Sequence, residues 1–195
     1  MATKTQSKSS GSNRESTKTG VLVGAAVAGA AVGLAANVGR KLFVQFSSGA
    51  TGDWFDALKT EHELARAIFD KIEATDESQT VMRTHLLMKL KYALDKHAIQ
   101  EENVIYPALR EAGEKQQADH LNADHGYVKT YLYELENMEK DDPAWIARVR
   151  DFRSAIEEHM NEEETQIFPA FRNRLSEEKN KELSALMNKE GFKFA

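Results

Sequence analysis

The chain has no cysteine among its 195 residues, three prolines and, between residues 53 and 190, only Gly113 and Gly126. Without cysteine there is no disulfide, no thiolate nucleophile and no iron–sulfur ligation by its own side chains, although compartment is left open. So few helix breakers favour long helices over most of the length. A basic face is missing too. The net charge is −5, yet residues 1–41 carry six Lys/Arg against the single acid Glu15, so the remainder stands near −10. An acidic globule lacks the phosphate-neutralising surface that DNA or RNA requires, and no nucleic-acid partner is expected.

Long apolar runs are scarce, with one exception. Residues 1–19 are Ser/Thr/Lys-rich without apolar periodicity and read as a disordered basic arm. Residues 20–39, GVLVGAAVAGAAVGLAANVG, carry no charge, and Arg40 and Lys41 close the segment. Its length matches a membrane span, and the pairs Gly20/Gly24 and Gly29/Gly33 have the spacing that lets helices pack closely. Three readings follow in order: a membrane-associated or self-associating glycine-zipper helix, a soluble Ala/Gly segment, and a secretory signal peptide. The long region before the apolar core counts against the signal peptide. Localisation is thus expected to be cytoplasmic, or membrane-associated through this one N-terminal segment.

From residue 53 onward the apolar pattern steps by three and four. Phe55, Leu58, His62, Ala65, Phe69 and Ile72 make one stripe, and Leu86, Leu90, Ala93, His97, Glu101, Val104 and Ala108 a second. Leu121, His125, Val128, Leu132 and Leu135 make a third, and Val149, Phe152, Ile156, His159, Glu163 and Ile167 a fourth. Breaks fall at Thr75-Asp76, at Gly113 and at Asp141-Asp142-Pro143. Short connections between long helices predict an all-α, up-down-up-down antiparallel four-helix bundle over residues 53–175. A short amphipathic helix, Ser176 to Asn188, belongs to a C-terminal piece of residues 176–195.

The second and fourth stripes repeat each other. His97-AIQ-Glu101-Glu102-NVIY-Pro107-AL-Arg110 aligns without a gap on His159-MNE-Glu163-Glu164-TQIF-Pro169-AF-Arg172, with seven of fourteen positions identical. His62 falls on His125 in the same way, with Glu61 on Asp124. The domain therefore reads as one helical hairpin used twice, each copy bringing a lone His and a His-xxx-Glu.

On a helix, positions i and i+4 point the same way, so each His-xxx-Glu projects inward as a pair. Two ionised carboxylates inside an apolar bundle would cost several kcal/mol each without compensation. Two divalent cations sharing them, each with two imidazoles, remove that cost. A nitrogen and oxygen donor set without sulfur favours iron or manganese over zinc or copper, and six side-chain ligands leave coordination positions open for a small molecule. A single histidine on such a stripe is more often a packed core residue; four at repeat-related positions are not. His85 and His120 fall off their neighbours' faces and read as non-ligands. Tyr127 and Tyr106 lie near the ligand level and could donate hydrogen bonds or protons there, but at about 200° from His125 and about 180° from His97 on ideal helices both read first as packing.

The order His, His-xxx-Glu, His, His-xxx-Glu, with E-x-x-x-[YF]-P-A continuations at Glu102 and Glu164, resembles the hemerythrin-like (HHE cation-binding) family. That resemblance implies a non-haem site with two iron ions, His62, His97, His125 and His159 as terminal ligands, and Glu101 and Glu163 as bridges. It also implies a small diatomic ligand or peroxide as partner: dioxygen, hydrogen peroxide or nitric oxide. Oxygen-carrying members have a further His one turn from the third-helix ligand; here those positions are Leu121 and Lys129. The symmetric four-His/two-Glu set is similar to the iron–sulfur-repair branch and argues against reversible oxygen carriage. A ferritin-like reading needs Glu-xx-His, which occurs at none of the histidines. Three functions remain in view: oxidant or nitrogen-oxide processing in stress defence or iron handling, with or without enzymatic turnover; a metal- or oxygen-responsive sensor module; and a membrane-associated structural bundle with a vestigial site.

Overall fold

A computed structural model describes residues 52–194; the expectations for residues 1–19 and 20–41 fall outside them. All the regular structure described is helical. Helix α1 spans Trp54–Glu73, and α2 spans Thr80–Gln100. A five-residue π turn, Glu101–Ile105, leads into α3, Tyr106–Glu111. Helix α4 spans Lys115–Asn137 and α5 Pro143–Glu162. A second π turn, Glu163–Ile167, leads into α6, Phe168–Arg174, and α7 spans Glu177–Phe192. Among the described residues no helix is long and apolar enough to cross a membrane.

Local chemistry sets the boundaries. Asp53 caps α1 by accepting from the backbone N–H groups of Phe55 and Asp56. Asp142 caps α5 through Ala144 N–H, with Pro143 at the first helical position, where its missing donor costs nothing. Gly113 takes φ 93° in the turn before α4, a conformation that disfavours any side chain. Arg83, 1% exposed, donates to Thr75 and to the Lys140 carbonyl, tying two inter-helix connections together.

The long helices form a bundle: α1 packs on α2 and α5, α2 on α4, and α4 on α5. Most stripe positions are buried as the periodicity predicts; Ala93, Val128 and Ile167 are half-buried. The core comes in two parts. Ile68, Phe69, Leu90, Trp145 and Phe152 belong to one, and Trp54, Leu58, Leu109, Phe168 and Phe171 to the other. On α1 and α4 the site histidine falls between residues of these two parts.

The C-terminal helix departs from the sequence expectation. It passes Asn188 and Gly191 and ends at Phe192. Glycine is tolerated there because a Cβ on residue 191 would lie 2.9 Å from Gln100 Nε2, so its absence lets α7 approach α2 closely.

Candidate metal centre

Four imidazoles and two carboxylates meet in the layer between the two core regions. His62, His97, His125 and His159 are 1–6% exposed, and Glu101 and Glu163 are fully buried. Thus the structure brings together all six residues singled out from the sequence. His62 Nε2 lies 3.0 Å from His97 Nε2, and His97 Nε2 lies 3.1 Å from Glu101 Oε2. His125 Nε2 is 3.3 Å from the same Glu101 oxygen. Glu163 Oε2 lies 3.4 Å from His62 Nε2 and 3.5 Å from His159 Nε2. Donor atoms fall into two overlapping groups, His62/His97/Glu101/Glu163 and Glu101/His125/His159, each within 4.8 Å. Glu101 belongs to both.

The fit to cations rests on what these groups lack. Glu101 Oε1, Glu163 Oε2 and His159 Nε2 are buried without a hydrogen-bond partner. Orphaned buried carboxylate oxygens are costly, and a divalent cation beside them removes the cost. The 3.0 Å between two ring nitrogens equals the separation of neighbouring ligands on one cation with bonds of ~2.1 Å.

Every Nε2 faces inward because every Nδ1 is held from outside by a carboxylate. His62 Nδ1 pairs with Glu164 at 2.7 Å, His125 with Glu102 at 3.0 Å, His97 with Glu61 at 3.2 Å and His159 with Asp124 at 3.4 Å. Such partners fix ring orientation and raise imidazole basicity. The carboxylates are anchored in turn: Glu164 by Arg66 at 3.0 Å, Glu102 by Lys129 at 2.9 Å, and Glu61 by Lys96. Sequence reasoning gave these four acids no role, although the repeat carries a carboxylate at each of their positions.

The electrostatics match a site awaiting positive charge. Burial opposes the His97 imidazolium, but Glu101 and Glu61 outweigh it and hold its pKa well above the usual range. His125 is likewise raised to about 9 despite burial, by Glu101 and Glu102. Its hydrogen bond lowers Glu102 to about 2. Glu101 is held well below the carboxylate range because His97 and His125 overcome its desolvation.

Tyr106 corrects the sequence reading. Its hydroxyl lies 2.8 Å from Glu163 Oε1, 3.1 Å from His125 Nε2 and 3.2 Å from Glu101 Oε2. An ideal α-helix would turn it away from His97. The π turn instead closes with Tyr106 N–H on the Glu101 carbonyl and stacks Tyr106 over Glu101. Pro107 follows directly; proline lacks the N–H for a bond four residues back, and its ring crowds that carbonyl, which a widened turn relieves. The proline in each repeat was the available signal. Tyr127 is exposed, as expected.

His85 is exposed. His120 also lies outside the site, 3.1 Å from Glu162 and 3.7 Å from Asp124, the partner of His159. Its neighbourhood lines a cleft of about 340 Å³ that reaches His159 and Ile156. A small pocket of about 20 Å³, bordered by all four site histidines, shares those two residues.

The profile of the Hemerythrin HHE cation binding domain matches residues 54–171. An uncharacterised hemerythrin-like protein of Schizosaccharomyces pombe is 26% identical over 129 residues, 64% of this chain and 62% of that protein. A Nostoc protein named a DNA nickase is 24% identical over 127 residues, 65% of this chain but 36% of its own length. The chain thus matches less than two thirds of either curated relative. A crystal structure of a hemerythrin HHE cation-binding domain-containing protein from Mycobacterium kansasii superposes with TM-score 0.65 at 24% identity, covering 73% of this chain and 87% of that one.

Proposed function

The chain belongs to the hemerythrin HHE cation-binding domain family, and from that premise we propose that it holds two iron ions. His62, His97, His125 and His159 are the terminal ligands, and Glu101 and Glu163 are shared between the ions. The observation that carries this reading is the set of inward-facing atoms without a hydrogen-bond partner, Glu101 Oε1, Glu163 Oε2 and His159 Nε2, in a buried layer. Two overlapping donor groups support two ions, and the sulfur-free donor set supports iron. The up-down-up-down antiparallel order belongs to the same reading and is supported by the contacts of α1 with α2 and of α4 with α5.

When bound, the ions would supply redox and Lewis-acid chemistry. The chain's own residues bind and orient. The four outer carboxylates aim the imidazoles, the two core regions exclude bulk water, and Tyr106 holds a proton on the Glu163 oxygen. A pocket of about 20 Å³ bordered by the four histidines supports a ligand as small as a diatomic or peroxide. The function that follows is binding or processing of dioxygen, hydrogen peroxide or nitric oxide in oxidative or nitrosative stress or iron handling.

The test is anaerobic loading of the full chain with ferrous iron, metal counting, and absorption spectra before and after air, followed by peroxide addition. Two irons per chain with ferric charge-transfer bands, lost in Glu101→Ala and His159→Ala, are expected. Fewer than about one metal per chain, unaffected by those substitutions, would mean that the polar layer is only packing. Rapid gas evolution from peroxide marks an enzyme. Little turnover with a large iron-dependent rise in melting temperature marks a sensor module.

A further inference from the structure

The two hairpins carry the same side-chain chemistry at every ligand position, but not at the residue that closes each π turn. Tyr106 and Phe168 are equivalent by the repeat, and each donates its backbone N–H to the carbonyl of its own glutamate, Glu101 or Glu163. Both rings are buried, at 2% and 0% exposure. Only one brings a polar atom. Phe168 packs its ring on Trp54 at 5.5 Å and on Phe55 at 6.3 Å between centroids.

The Tyr106 hydroxyl has one proton to give. The closest acceptor is Glu163 Oε1 at 2.8 Å, a short bond to a charged oxygen. Glu101 Oε2 and His125 Nε2 stand at 3.2 and 3.1 Å around the same hydroxyl. With Oε1 engaged, Glu163 is oriented so that Oε2 faces His62 and His159. Phe168 offers no such bond to Glu101, whose Oε1 has no partner at all. Two glutamates equivalent in sequence are therefore held differently.

We propose, resting on the two-cation reading above, that Tyr106 is a positioning residue that makes the two cation positions unequal. The position served by His125 and His159, beside the hydroxyl, differs in affinity from the one served by His62 and His97. A net hydrogen bond to a charged group is enough to separate two otherwise similar affinities by about tenfold.

Stepwise loading tests this without relying on turnover. The metal-free full chain is titrated with Co²⁺ in the absence of air, following visible absorption and bound metal by equilibrium dialysis. The wild type is expected to fill in two steps separated by about tenfold beyond the statistical factor. Tyr106→Phe keeps the ring and makes the hairpins alike, so its steps should merge to within about threefold. Phe168→Tyr adds the second hydroxyl and should also bring the steps together; circular dichroism melting checks that both variants fold. A separation unchanged by both substitutions, or a single step in the wild type, would show that Tyr106 only packs. Failure of the wild type to bind Co²⁺ at all would remove the two-cation reading itself, and the proposal with it.

Discussion

His97 and His159 occupy the same place in the two hairpins, but their outer carboxylates live in different surroundings. On the first side, α7 lies across α1, α2 and the first π turn. Beneath it Lys96 is 8% exposed and Gln100 1%, and Gln100 donates to the Met187 carbonyl at 3.2 Å. The repeat-related residues on the second side are Glu158, which is exposed, and Glu162, which is half-buried beside the cleft leading to His159. Glu61 is correspondingly more sheltered than Asp124, with side-chain exposures of 14% and 26%. Duplication can set a symmetric ligand frame, but α7 occurs once and covers one side. The second side is the acidic and more open one, where the cleft borders His159.

The largest expected effect tests what the halves share. Glu101→Ala and Glu163→Ala should each abolish binding of both ions, measured as metals per chain; retention of both ions by either variant would extend the inequality to the ligands themselves. A smaller effect sharpens the difference between sealed and open sides. Gln100→Glu puts an unpaired charge under α7 and should cost about 3 kcal/mol or more in urea denaturation, whereas Glu162→Gln should change stability by less than about 0.5 kcal/mol. Equal costs would mean that α7 does not seal its side.

Proton competition comes next. His125 has a folded pKa of about 9, raised above its unfolded value, so its stabilising charge is fully present below pH ~6.5 and is lost as pH rises through 9. His62 and His97 shift in the same direction. The melting temperature of the metal-free chain should therefore fall between pH 6.5 and 9, while the loaded chain, with cations in place of protons, should stay nearly level. A rising metal-free curve would show that these histidines are neutral in the fold. Smallest is Lys129→Ala: the lysine is 59% exposed where it meets Glu102, and its loss should cost no more than about 0.5 kcal/mol by the same denaturation assay. A larger cost would mean that the open side also depends on its outer ion pair.

Much of the site was legible because its residues lie on periodic stripes that repeat. His62, His97, His125 and His159 interrupt apolar faces at duplicated positions, and each His-xxx-Glu spacing spans one α-helical turn. Tyr106 was not legible from that periodicity, because the helix changes its hydrogen-bond register at Glu101 and rotates everything beyond it. The outer carboxylates were visible as repeated acids. Their purpose was not, since a surface-facing Glu and one that holds an imidazole look alike in one chain.

The amino-acid pattern alone determined the helical segments, their buried faces and the six residues that meet inside, because side-chain direction on a regular helix follows from spacing. Tertiary structure alone decided which imidazole nitrogen faces inward, which tyrosine reaches the glutamates and which side α7 closes. Those outcomes depend on atoms brought together from helices far apart in the chain, and on two π turns that break the periodicity from which the rest was read.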